Sequence, residues 1–177
     1  MLAVLGAQPQ KRETAARRFH YNRAMYIAVL TAHSWLRWAV LLLGLLVIVR
    51  AFAGMRGKRP WNAADDRATR LFVIVLDLQL LLGLLLYVAL SPITRAAMED
   101  FGEAMRISAM RYWAVEHVFG MVVALAFAHA GRARVRKTAD LVARHKVAAV
   151  FFTLALVAVL ASIPWPGLPN ARPLWRW

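Results

Sequence analysis

Six polar side chains stand inside otherwise apolar stretches of this chain: His33 and Arg37 in the first, Asp77 and Gln79 in the second, Glu116 and His117 in the third. An ionisable group in hydrocarbon costs several kcal/mol unless it is paired or liganded, so these residues are where chemistry is to be sought. Two imidazoles on different helices of a bundle form a donor pair for a haem iron, held from opposite sides by axial nitrogens. Their structural alternative is a hydrogen-bonded interhelical pair. Arg37 follows His33 by one helical step of four, about 40° around the axis, and so shares its face. A guanidinium there suits a haem propionate or another anion. Asp77 competes for it, and a structural Arg37–Asp77 pair stands beside the propionate contact as a reading. Glu116, next to His117, either orients an imidazole, moves a proton for a bound quinol, or sits in the interface zone.

Depth decides which of these groups can meet. At 1.5 Å of rise per residue, His33 lies roughly 10 Å from the outer end of its stretch and His117 roughly 7 to 8 Å from the outer end of its own. The two histidines are therefore expected at one level, whichever face of the membrane that is. Arg37 lies about 16 Å from the outer end and Asp77 about 9 Å from the inner one, within side-chain reach in a core of about 30 Å. His129 closes the third stretch and His145 opens the fourth, both beside a basic hairpin. A second haem would have to use them, although twelve residues turn His129 about 120° out of line with His117. Gln79, Gly83 and Tyr87 recur every four residues, a stripe that either faces a flat cofactor or eases helix packing.

The elements that position these residues follow from composition. Of 177 residues, 61% are hydrophobic, gathered in blocks about long enough to cross a bilayer. Apolar runs predict helices over Tyr26 to Arg50, Leu71 to Leu90, Tyr112 to Ala130 and Lys146 to Ile163, with Pro92 and Pro164 ending the second and fourth. Short connections make the fold an all-α integral membrane protein, an up-down bundle of four transmembrane helices. Residues 1–25 form a basic N-terminal extension, 26–164 the bundle and 165–177 a tail rich in Pro and Trp. Met25 stands as an alternative start. Trp165, Trp175 and Trp177 are expected either to anchor the tail among headgroups or to dock on a partner subunit. Met98, Phe101 and Met105, at helical spacing in the middle loop, allow an amphipathic lid over the outer mouth; a plain surface loop is the other reading.

The charge excludes as much as it suggests. A net charge of +14 would point to nucleic acid in a soluble protein, but here Lys and Arg flank apolar segments, so the partner is the lipid bilayer and not nucleic acid. The first loop (Arg56, Lys58, Arg59, Arg67, Arg70) and the third (Arg132, Arg134, Arg136, Lys137, Arg144) are basic. The second offsets Arg95, Arg106 and Arg111 with Glu99, Asp100 and Glu103. The basic loops then face the cytoplasm and both termini the outside. With no cysteine the chain has no disulfide, thiolate-bound cluster or thioether-attached haem. Hydrolase, zincin and nucleotide-binding signatures are missing from the sequence, as is G-x-x-x-G.

Five segments carry a resemblance: His33-Ser34-Trp35-Leu36-Arg37-Trp38, the run from Gln79 to Tyr87, Tyr112-Trp113-Ala114-Val115-Glu116-His117, Arg144-His145-Lys146, and Ile163-Pro164-Trp165-Pro166. Over about Met25 to Pro166 the chain resembles a family of small bacterial four-helix membrane proteins labelled hypothetical or cytochrome b-like. The resemblance implies a b-type cytochrome of the bacterial inner membrane with one haem b, His33 and His117 as iron ligands and His145 as a further position. An electron carrier or redox subunit between a quinone pool and a larger membrane complex is then expected, rather than a complete enzyme. A non-redox accessory or assembly subunit of a respiratory or photosynthetic complex is the rival reading.

Overall fold

The computed structural model describes residues 8–175, with side chains from Arg23 onward. The expected all-α membrane bundle is what forms. α1 (Gln8–Arg56) is followed by α2 (Ala63–Leu85), three short helices, α3 (Pro92–Glu99), α4 (Phe101–Arg106) and α5 (Ser108–Arg111), then α6 (His117–Lys137) and α7 (Ala143–Ala161). Among the described residues, four helical spans are long and apolar enough to cross a membrane: Arg23–Arg56, Ala63–Leu90, Ser108–Lys137 and Ala143–Ala161. α1 begins well before the expected Tyr26. Of the expected N-terminal extension and tail, residues 1–7, 176 and Trp177 lie outside the described residues, as do the side chains before Arg23.

Small residues set how closely the helices approach. Ala124 and Ala128 of α6 and Ala148 and Ala155 of α7 have no exposed surface, and a Cβ at Gly131 would run into Phe151. Backbones that come this close gain dispersion contacts where lipid offers no hydrophobic drive. Phe72 and Phe152 meet edge to face at 5.7 Å in the middle of the core. The outward faces are apolar, with Leu42, Val88 and Phe119 exposed, as lipid requires.

The basic end of the bundle is tied by ion pairs. Asn62 caps α2 in a reciprocal box with Asp65. Asp65, itself buried, accepts from Arg50 at 2.9 Å and from Arg59 at 2.7 Å, which holds the Arg59 guanidinium still further above its ordinary range. Arg132 of α6 forks onto Asp66, joining α6 to α2.

At the opposite end both neighbours of the middle loop change helix type. α2 runs on as a π turn, Leu86–Leu90, and α6 is preceded by another, Tyr112–Glu116. Each widens the helix by one residue per turn. Tyr87 of the first donates its hydroxyl to the carbonyl of Ala114 in the second at 2.7 Å, fastening the two together. Between them the middle loop is helical. It breaks at Asp100, whose side chain caps α4, so Met98 and Phe101 are exposed while Met105 packs toward the buried Ala97 and Ala104.

The tail docks on its own chain. Beyond Pro164 it turns at Gly167, whose φ of 92° suits a residue without a Cβ. It then crosses to α1, where Trp175 stacks on Trp38 at 4.6 Å and 11° and tilts against Trp35. Arg37 and the Trp38 indole both donate to the Leu174 carbonyl, at 2.6 and 3.3 Å.

Candidate functional site

His33 and His117 come together. Their ring centres are 6.4 Å apart with planes at 68°, at one level of the bundle as the residue count required. Both line a cavity of about 130 Å³, partly open to the surroundings, walled by all four long helices, by Ile93 and Thr94 of α3 and by Arg172 and Pro173 of the tail. The walls are mostly apolar, with a few polar groups convergent on the space, which is how small-molecule and cofactor sites are built.

Each imidazole is backed differently. Gly83 of α2 leaves room for His33, since a Cβ there would lie 3.2 Å from the ring's Cε1. One turn away Gln79 donates to the His33 carbonyl at 3.0 Å, leaving its own Oε1 buried and, among the described residues, without a partner. His33 Nδ1 is likewise buried and unpartnered. His117 instead has Nδ1 at 2.7 Å from the carbonyl of Ser162, which can only accept, so the proton sits on Nδ1 and Nε2 keeps its lone pair. The Ser162 carbonyl is available because it lies past the last turn of α7, where helix carbonyls lose their amide partners. It also accepts from Tyr112 at 2.6 Å. Gly120 makes this approach possible: a Cβ there would overlap the Ser162 side chain.

Two imidazole nitrogens from different helices, 6.4 Å apart between ring centres, are donors that a haem iron could use. A metal-bound histidine commonly gives its other N–H to a backbone carbonyl, as His117 does to Ser162. Among the described residues no group of three or more His, Cys, Asp or Glu could hold a bare ion. A donor set of two imidazoles suits a metal whose equatorial ligands come from a macrocycle.

The remaining expectations divide. Arg37 lines the cavity on the face of His33, but the Arg37–Asp77 pair is not what forms. Asp77 is bound to His129 Nε2 at 2.8 Å, because Gln79 packs on α1 and a residue two positions earlier points about 200° away, toward α6. Glu116 does not orient His117. Turned about 100° from it, Glu116 takes Arg111 at 2.6 Å in a half-exposed pair. His129 is on the outside of the bundle, with 53% of its side chain exposed. His145 has no exposed surface: its ring packs on Trp61 at 4.9 Å, lies 4.0 Å from Asp65, and occupies the space a Cβ at Gly54 would fill. His129 and His145 thus sit in separate surroundings and form no second facing pair. Three contributors were missed by sequence reasoning: the Ser162 carbonyl, Tyr112 as its second donor, and Arg172. Tyr112 stood five residues before His117 as a visible signal; a backbone carbonyl leaves none.

Comparison of the chain with protein-family models, with curated proteins and with solved structures finds no match in any of the three.

Proposed function

We propose that this multi-pass membrane protein is a small b-type cytochrome-like electron carrier or redox subunit, binding one haem b between His33 and His117. The observation that carries the reading is the pair of imidazoles on different helices, 6.4 Å apart between ring centres in the wall of one cavity, with one of them held by a backbone carbonyl. Bound there, the haem would supply a one-electron couple. The chain's residues do the rest: Ser162 and Gly83 set the ring positions, and the apolar walls exclude water and so favour a buried, low-dielectric centre. In this reading electrons would pass between a quinone pool and a larger membrane complex. In a bacterial inner membrane the basic loops would be cytoplasmic and both termini periplasmic.

A second reading, a non-redox accessory or assembly subunit, is favoured by one observation. The His129–Asp77 pair lies on the outer surface of the bundle within the apolar span, where ionisable groups normally have cover. A neighbouring subunit would supply it.

The test is a dithionite-reduced minus oxidised absorption spectrum of the detergent-purified protein, with haem extracted and quantified, beside His33→Ala and His117→Ala. A b-type spectrum lost in both variants supports the cytochrome. A folded, colourless protein that takes up no added haem and co-purifies with a complex replaces it with the accessory subunit.

A further inference from the structure

We propose that Arg172 holds an acidic group of the cavity's ligand, which makes the C-terminal segment a wall of the binding site; the proposal rests on the haem reading, whose ligand carries propionate carboxylates. Three observations converge on this arginine. Position comes first: Arg172 and Pro173 line the cavity, and the Arg172 amide is fixed on the Pro164 carbonyl at 3.2 Å. Its guanidinium carbon lies 5.3 Å from the centre of the Trp113 ring, and Trp113 in turn is 5.6 Å from His117. The charge is therefore one aromatic ring away from the imidazole that would hold the iron.

Charge bookkeeping is the second. Four acids of the bundle are engaged elsewhere: Asp65 with Arg50 and Arg59, Asp66 with Arg132, Asp77 with His129 and Glu116 with Arg111. Arg172 makes no ion pair with any described residue. Lying over an aromatic face, a guanidinium still offers the N–H groups at its edge, in the planar fork that matches a carboxylate.

The third is the mounting. The segment is pinned beyond Arg172 by the Trp175–Trp38 stack and by the Leu174 carbonyl, which takes the Arg37 guanidinium at 2.6 Å. Arg37, the cation singled out by helical spacing, thus fastens the segment that delivers Arg172. Arg37 is a positioning residue and Arg172 the anion-binding one.

The experiment compares haem b with its dimethyl ester, which keeps the macrocycle and iron and lacks both carboxylates. Each is titrated into haem-depleted, detergent-solubilised full-length protein, as wild type, Arg172→Gln and Arg172→Lys, with binding read from the Soret band and thermal stability measured alongside. Expected is a loss of roughly tenfold or more in haem affinity for R172Q, a smaller loss for R172K, an unchanged affinity for the ester and an unaltered bis-histidine spectrum at saturation. Equal binding of haem by R172Q and wild type overturns the proposal. So does an equal loss for haem and ester, which would make Arg172 a packing residue. Failure of the wild type to bind either compound removes the haem reading itself, and this proposal with it.

Discussion

Tyr112 and His117 share one acceptor, the carbonyl of Ser162, at 2.6 and 2.7 Å. In a regular α-helix residues five apart are about 140° from each other around the axis. The π turn between them closes that angle, since the His117 amide bonds to the Tyr112 carbonyl five residues back. The imidazole is thus oriented by a defect in its own helix together with the free end of a neighbouring one.

Gly120→Ala tests that orientation. The added Cβ would overlap the Ser162 hydroxyl and press on its Cβ, so Ser162 has to shift and its carbonyl's bond to His117 Nδ1 is weakened. On the proposed haem reading, affinity for added haem is expected to fall by up to about 10-fold, the low end of the cost of disturbing an outer-shell partner. Ser162→Ala in the same chain removes the overlapping hydroxyl and should return part of the loss; titration of the single and double variants measures it.

Tyr87→Phe removes the hydroxyl that ties the two π turns. The expected cost is about 1 kcal/mol, seen as a lower midpoint in SDS or thermal unfolding. Because Tyr87 donates to Ala114 and not to either histidine, on the proposed haem reading the visible spectrum with added haem should be unchanged.

Asp65→Ala leaves two arginines converging on an empty buried position beside His145. Breaking one side of such a cluster costs about 3 kcal/mol or more. Arg50 and Arg59 are each about a third exposed, at 31% and 34%, so single replacements of either should cost less than the aspartate, by the same unfolding measurement.

Trp175→Ala takes away the stack on Trp38. The segment should then open more often, and exchange of the Arg172 amide, held by Pro164, should quicken roughly tenfold while amides in the middle of α7 keep their rates. Hydrogen–deuterium exchange read peptide by peptide makes the comparison.

Much of the architecture is legible in the order of residues. Four apolar blocks, Pro92 and Pro164 fix the number of crossings and where two of them stop, and the constant rise of a helix puts His33 and His117 at one depth. Angle around the axis is less accessible. Asp77 was matched to Arg37 by depth, yet Gln79, two residues on, is the one that faces α1. Glu116 was matched to His117 by adjacency, which on a helix guarantees divergence. The docking of the tail escaped notice for another reason. Its hydrogen bonds join residues 136 and 137 positions apart, and a run of prolines and tryptophans carries no periodicity that would reveal such a contact.

The two π turns also bear on how this chain can vary. Each turn holds one residue more than an α-helix would need, and the surplus bears on the angle at which the middle loop leaves the bundle. Deleting a single residue such as Val88 or Val115 would let the helix relax to ordinary pitch and swing the adjoining segment by about 100°. Tyr87 would leave Ala114, or Tyr112 would leave Ser162. Residue number in these two short stretches is therefore constrained as tightly as residue type: substitutions there are absorbed locally, whereas an insertion or deletion dismantles the site without touching either histidine.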